Sequence, residues 1–111
     1  MSARLDRQLV LEDPQRLPDA AGGFTEVWQP LGEVWAEVTP RTGRFAEFGA
    51  VATGRMNWRI VVRGAPVGVP SRPQPGQRFR EDTRVYKIEA VAERDPQGRY
   101  LICFATEEVA A

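Results

Sequence analysis

The sequence has no histidine and only one cysteine, and these absences exclude much of the chemistry that small enzymes use. Without histidine the chain lacks the commonest general base, so Ser-His and Cys-His nucleophile pairs are excluded. One cysteine without histidine also leaves no expected transition-metal site and no intrachain disulfide. Cys103 stands between Ile102 and Phe104, a setting typical of a small core residue. Because the phosphate-binding and dinucleotide-binding glycine motifs are absent as well, we predict no enzyme activity and no cofactor.

Long apolar runs are also missing. No stretch approaches the about 18 residues that a membrane-spanning helix requires, so no contact with a membrane is expected. The charged N-terminus, Met1 to Arg7, has no apolar region typical of a signal peptide, which predicts synthesis and assembly in the cytoplasm. The 111 residues, of which 42% are hydrophobic, predict a single folded domain over residues 1–111.

The net charge is zero, but the charges are unevenly distributed along the chain. Residues 1–54 carry a net charge of −3 and residues 85–111 one of −2, whereas residues 55–84 hold seven arginines against two acids. Such segments suit a protein that contacts copies of itself or several partners. Pairing between adjacent strands of one chain would account for them equally well, so both interpretations stay open.

Alternating apolar and polar residues predict short β-strands, and clusters of proline and glycine separate them. Pro14 is expected to end the first strand and to begin a loop over residues 13–23, because proline lacks a backbone donor. Pro30 and Gly32 are expected to separate the second strand from the third. Residues 95–98, Asp-Pro-Gln-Gly, predict a turn that closes an antiparallel hairpin. The predicted strands are residues 4–12, 24–28, 33–38, 57–63, 77–80, 83–91 and 99–106.

The same alternation indicates which side chains share a face of a strand. Within residues 83–91, Tyr86, Ile88 and Ala90 fall on one side. Trp28 and Trp35 are interpreted as two core anchors. The faces expected to pack inward are Trp58, Ile60 and Val62 in the clearest strand and Tyr100, Ile102 and Phe104 in the last strand.

These strands together predict an all-β fold, a small antiparallel β-barrel or sandwich of six to seven strands. Two long connections interrupt it, one at about residues 40–56 and a proline-rich one at about residues 64–76. A loop of about 15 residues is unusual in so small a domain, and such loops are often functional. Phe45 and Phe48 would lie on one face if a helical turn formed there.

An alternative function is binding of single-stranded nucleic acid by a small β-barrel. It requires arginines and aromatic rings on one exposed face. Trp58 alternates with Arg59, and Phe79 alternates with its neighbouring arginines, so the rings are expected in the core rather than beside the charges. The residues that would form such a surface are Arg55, Trp58, Arg59, Arg63, Arg78, Phe79, Arg80 and Arg84.

Short motifs follow one another in a characteristic order between residues 4 and 107. They are Gly22–Trp28 with its Thr-x-x-Trp, Val34–Val38, Gly43–Glu47, Trp58–Arg63, Tyr86–Ile88 and Tyr100–Cys103. Each motif is weak alone, but their order and spacing resemble the phage head-tail joining protein family. Members of that family often have a tyrosine after the arginine that ends the middle strand, whereas Gly64 follows Arg63 here.

The resemblance implies a virion protein with a small β-barrel and one long loop. Such a protein forms a homo-oligomeric ring, here expected to be hexameric, in the head-tail connector of a phage, a prophage particle or a gene transfer agent. The implied partners are a portal-side adaptor, a tail-side terminator and the double-stranded DNA that passes through the lumen. The position within the connector, as stopper or adaptor, stays open.

In that setting the loop at residues 40–56 would face either the lumen or a neighbouring ring. Toward the lumen, its arginines could contact DNA phosphates and help to close the channel. Against a neighbouring ring, its two phenylalanines would be buried instead. The candidate contact residues are Arg41, Arg44, Phe45, Glu47, Phe48 and Arg55.

Overall fold

The structure is a computed structural model that describes residues 3–41 and 54–108. Neighbouring strands in these ranges are antiparallel, and the order β1-β2-β3-β6-β5-β4 closes into a barrel, which confirms the all-β prediction. In the part of the chain described, no helix is long and apolar enough to cross a membrane. The strands are β1 (Arg7–Pro18), β2 (Phe24–Pro40), β3 (Arg55–Arg63), β4 (Arg78–Glu81), β5 (Arg84–Glu93) and β6 (Tyr100–Glu108).

The barrel interior is filled by side chains from every strand, as expected for a barrel this small. Full burial of one large apolar side chain contributes about 1.5–3 kcal/mol. Trp58 packs against this core and meets the Tyr86 ring edge-on, with centroids 6.0 Å apart. The inward face predicted for β3 is therefore confirmed. The buried core residues are Leu9, Leu11, Ala36, Ile60, Val62, Phe79, Tyr86, Ile88, Leu101, Cys103 and Ala105.

Strands β1 and β2 run much further than the sequence predicts. The prediction of a loop at residues 13–23 is wrong, because β1 continues through Pro14 to Pro18 and pairs with β2 from Phe24 onward. Strand β2 is likewise one strand through Pro30 rather than two. Proline is tolerated here because both strands have an edge without a partner strand among the described residues, where a missing N–H costs no ladder bond.

A β-bulge joins the two halves of this hairpin. Leu11 lies opposite Gly32 but Glu12 lies opposite Pro30, so Leu31 is an extra residue on β2. Only residues 19–23 form the connecting turn, in which the Asp19 carboxylate accepts hydrogen bonds from two backbone N–H groups.

The inward face expected for the last strand is wrong. Leu101, Cys103 and Ala105 are buried in the barrel, while Tyr100, Ile102 and Phe104 face outward and are partly exposed. Directly paired residues of neighbouring strands share a face. Ile60 lies opposite Cys103, and Val62 opposite Leu101, so the inward face of β3 determines that of β6.

A second bulge changes the face of β5. Ile88 lies opposite Ala105 and Ala90 opposite Phe104, so Glu89 is an extra residue. Beyond it Val91, rather than Ala90, packs against the core. The expectation that Tyr86, Ile88 and Ala90 share one face therefore holds only up to the bulge.

Neither tryptophan of β2 is a core anchor, in contrast to the prediction. The Trp35 side chain is 54% exposed, and its neighbour Ala36 is the residue that points into the core. Trp28 lies outside the core cluster, where the Arg78 guanidinium carbon stands 4.1 Å from its ring centroid. The predicted turn at residues 95–98 is present, with Gly98 N donating to Asp95 O at 3.0 Å.

Candidate functional site

The predicted contact loop is described only at its two ends. Arg44, Phe45, Glu47 and Phe48 lie outside the described residues. Arg41 follows β2, where its backbone N donates to Asn57 O at 3.0 Å and its guanidinium carbon lies 5.0 Å from the Phe104 ring centroid.

Arg55 is the first residue of β3. Because Pro40 pairs with Trp58 on the neighbouring strand, the start of β3 lies at the same end of the barrel as Arg41. Its side chain is exposed and lies 4.0 Å from the Glu108 carboxylate. The structure thus brings two of the predicted arginines, Arg41 and Arg55, to one end of the barrel.

A hairpin projects from the opposite end of the barrel, and we call residues 13–30 the arm. Strand β1 pairs with β4 only at Val10–Glu12, and β2 pairs with β3 only at Ala36–Pro40. Within the described ranges the arm is therefore a two-stranded ribbon. Each of its strands has about six residues, which gives a reach of roughly 20 Å.

An ionic cluster fastens the outer side of the arm to β4. Glu12 is 4% exposed and accepts hydrogen bonds from Arg78 Nε and Arg80 Nε, each at 2.7 Å. Burial alone would raise the pKa of Glu12, but the two guanidinium hydrogen bonds outweigh it and the pKa is lowered. Arg78 also covers the Trp28 ring, so one arginine contacts both strands of the hairpin.

Hydrogen-bonded amides fasten the other side of the arm to the proline-rich loop. The buried Gln77 donates from Nε2 to Asp13 Oδ1 at 2.9 Å and accepts from Gln74 N at 2.9 Å. Gln15 donates to the second Asp13 oxygen at 2.6 Å. With both sides tied, the direction of the arm relative to the barrel is set by specific contacts.

The arm carries exposed apolar side chains on both faces. Leu17 is 51% exposed and Val27 39%, and the strand register places them on the same face. Phe24 is 60% exposed on the other face, where the Arg16 guanidinium carbon lies 4.6 Å from its ring centroid. Exposed apolar side chains grouped on a projecting segment make the arm a candidate contact surface.

A recess of about 620 Å³ opens at the foot of the arm, where β3 ends and β2 continues. Trp35 forms one of its walls, and Glu33 and Arg63 carry charges there. We call this feature the recess. Its lining residues are Leu5, Glu33, Val34, Trp35, Val62, Arg63, Gly64, Ala65 and Ser71.

At the other end of the barrel a second ionic cluster pairs another arginine of the basic segment, residues 55–84, with a carboxylate. Arg84 Nε donates to Glu107 Oε2 at 2.8 Å, and Trp58 Nε1 donates to Glu107 Oε1 at 2.9 Å. The hydrogen bond from Arg84 is the main cause that lowers the pKa of Glu107. Pairing within the chain, one of the two interpretations left open for the uneven charge, therefore applies to Arg78, Arg80 and Arg84.

The burial of Phe79 and Cys103 tests two further interpretations of the sequence. Phe79 is fully buried, so it cannot stack on a base in a nucleic-acid surface. Cys103 is buried as predicted, and burial raises the pKa of its thiol to about 12. No signal in the sequence marked Leu17 or Gln77, because neither belongs to a chemical motif.

A family model and a solved structure each match nearly the whole chain. The model for the family described as phage head completion protein matches residues 1–108. A chain in the structure described as the virion of a native gene transfer agent particle is 51% identical. The match covers 99% of this chain and 100% of that chain, with a TM-score of 0.80.

A solution structure of a protein from Shigella flexneri 2a is 18% identical, covers 97% of this chain and 96% of that chain, and has a TM-score of 0.68. That likeness concerns the fold alone. No match was found among curated proteins.

Proposed function

Because the chain belongs to the phage head completion protein family, we propose that it forms a homo-oligomeric, hexameric ring in the head-tail connector of a phage-like particle. Its role is structural and lies at the junction of head and tail, and its family is not a family of enzymes. The observation that carries the proposal is the 51% identity, over 99% of the chain, to a component of a native gene transfer agent virion. We propose no catalytic activity and no cofactor.

The barrel suits a passive mechanical role. A closed barrel leaves few free strand edges, so copies can be brought together through side chains rather than by uncontrolled sheet extension. The arm and Pro40 lie at opposite ends of the barrel, since β2 begins in the arm and ends at Pro40. One end is thus available for a neighbouring subunit while the other faces a different partner.

The loop at residues 40–56 is proposed to face the lumen of the ring. Arg41 and Arg55, exposed at one end of the barrel, support this orientation together with Arg44 from the sequence. Their charges would meet the phosphates of DNA in transit and, with the loop closed, retain packaged DNA. In the alternative arrangement, Phe45 and Phe48 are buried against the neighbouring ring.

The proposed partners follow from this position in the particle. On the head side the ring meets a portal-side adaptor, and on the tail side a tail-side terminator. Double-stranded DNA occupies the lumen, and no membrane is involved. Assembly takes place in the bacterial cytoplasm, and the particle is a phage, a prophage-derived particle or a gene transfer agent.

Two sets of variants in the intact particle test this function and separate the two loop arrangements. Replacing Arg41, Arg44 and Arg55 by alanine should cause loss of packaged DNA from otherwise joined particles. Replacing Phe45 and Phe48 by serine should reduce head-tail joining if they dock on a ring. The matched control is Arg99→Ala, an exposed arginine at the other end of the barrel. Joined particles with normal DNA retention in both sets would contradict any role for the loop.

A further inference from the structure

We propose that the arm of one subunit docks into the recess of the next copy of the chain, and that this contact holds the ring together. The inference rests on the proposed ring and adds the surfaces that build it. A projecting apolar segment and an apolar recess lie at different places on the same chain. Such a contact is heterologous, or head-to-tail, and it generates a closed ring when the rotation between copies closes.

The first support is the construction of the arm. Its base is tied on one side by Glu12 with Arg78 and on the other by Asp13 with Gln77, so the arm is oriented before binding. A preorganised element loses less conformational freedom on association.

The prolines of the arm decide how it makes contact. Pro14, Pro18 and Pro30 lack backbone donors, which interrupts any ladder along the edges of the arm. Contact is therefore made by side chains, and Leu17, Phe24 and Val27 are the apolar ones available. Their exposure is the second support for a docked state.

The recess fits such an occupant in size and chemistry. Its volume of about 620 Å³ lies within the range of pockets that enclose groups larger than a single side chain. Trp35 forms one wall of the recess and is 54% exposed. Tryptophan is among the residue types enriched at the hot spots of protein interfaces. Leu5, Val34 and Ala65, each partly exposed, supply further apolar surface.

Charge complementarity favours a second copy as the occupant. The arm presents Arg16 and Glu26, which are exposed and opposite each other on its two strands. The recess presents Glu33 and Arg63, which are also exposed. Each acid of one surface can therefore meet the base of the other, which sets register and discourages wrong pairings.

Cysteine cross-linking tests the contact directly. Leu17→Cys and Ala65→Cys are combined in one chain, and particles are purified and oxidised. Cys103 stays in place because it is buried in the core and does not compete. We expect a ladder of linked subunits that ends at a closed ring and disappears on reduction, and no ladder with either single variant. The control pair, Leu17→Cys with Thr83→Cys in the exposed turn at the other end of the barrel, should give none.

The outcomes separate this proposal from the proposed function. A ring seen by electron microscopy without the ladder would overturn the arm-recess contact and leave the ring intact. A link from Leu17→Cys to a different virion protein would do the same, because the arm would then serve another partner. Particles without a ring of this chain would overturn both proposals.

A charge exchange gives a second measurement that does not need new thiols. Glu26→Arg and Arg63→Glu should each weaken ring assembly of the purified chain, roughly tenfold in the concentration needed, and the double variant should restore it. Trp35→Ser should weaken assembly by at least as much, whereas Val67→Ser, an 85% exposed apolar residue outside the recess, should not. Single variants that assemble like the wild type, with folding verified by circular dichroism, would contradict the contact.

Discussion

The Arg78 guanidinium carbon lies 4.1 Å from the centroid of the Trp28 ring, while Nε of the same side chain donates to the Glu12 carboxylate at 2.7 Å. One arginine of β4 thus contacts both strands of the hairpin, Trp28 in the arm and Glu12 at its base. Cation–π and ionic contacts on partly buried groups each contribute about 1–2 kcal/mol. The arm owes its fixed direction in part to this single side chain.

Removing the aromatic side chain of Trp28 should therefore loosen the arm without unfolding the barrel. For Trp28→Ala we expect faster amide hydrogen exchange over residues 13–18 and 24–30 and unchanged exchange in β3 and β6. The measurement is native-state hydrogen exchange with mass spectrometry. Exchange in the arm equal to that of the wild type would mean that Arg78 does not hold it.

Removing the charge of Glu12 should lower stability and flatten its dependence on pH. The pKa of Glu12 is lowered in the folded state, so its contribution is present above the pKa of unfolded glutamate, about 4.3, and is lost as the pH falls through the folded value. Glu12→Gln should cost about 2–3 kcal/mol at pH 7, since Arg78 and Arg80 lose their shared partner.

Urea unfolding between pH 7 and pH 3 measures both effects. The wild-type and Glu12→Gln curves should converge toward acid, and the variant should keep the part of the acid dependence that comes from Glu107, whose pKa is also lowered. Parallel curves over this range would show that the carboxylate of Glu12 is not what the arginines stabilise.

A close backbone approach predicts one site where alanine is not tolerated. Gly64 N donates to Arg99 O at 2.7 Å, and a Cβ at Gly64 would overlap the Gly98 carbonyl oxygen. Gly64→Ala should destabilise by about 2–3 kcal/mol, because the obstacle is backbone rather than a flexible side chain. Gly23→Ala is the matched control, since a Cβ there meets only the Asp19 side chain. Equal melting temperatures for the two variants would refute the close approach.

The thiol of Cys103 should be unreactive in the folded protein. It is buried, and burial raises its pKa to about 12, so almost no thiolate forms at neutral pH. Labelling with a thiol reagent at pH 7.5 should proceed at the rate of opening of the barrel and speed up in denaturant. Fast labelling without denaturant would place this residue on an accessible surface.

Strand β3 could be read from its sequence, but β6 could not. In β3 large apolar residues alternate with arginines at Arg59 and Arg63, so one inward face stands out. In β6 both faces are apolar, and the narrow barrel interior accepts the set that includes the small Cys103 and Ala105. Local alternation does not contain that packing constraint.

Bulges and edge strands were beyond prediction for a related reason. The extra residues Leu31 and Glu89 shift the phase of their strands, and the cause lies in the partner strand rather than in the local pattern. Pro14 is tolerated inside β1 because the strand lies in an edge ribbon there. The local sequence does not reveal that position, so it predicts a strand end at Pro14. The arm and the recess could not be predicted either, since both depend on where the pairing of β1 with β4 and of β2 with β3 ends.

The proposed function is tested most directly by a cryo-electron microscopy map of the head-tail junction in particles that carry this protein. We expect a hexameric ring of these barrels between the portal side and the tail, with the residue 40–56 loops directed into the DNA channel. Density for the barrel elsewhere in the particle, or no ring of this chain at the junction, would contradict it.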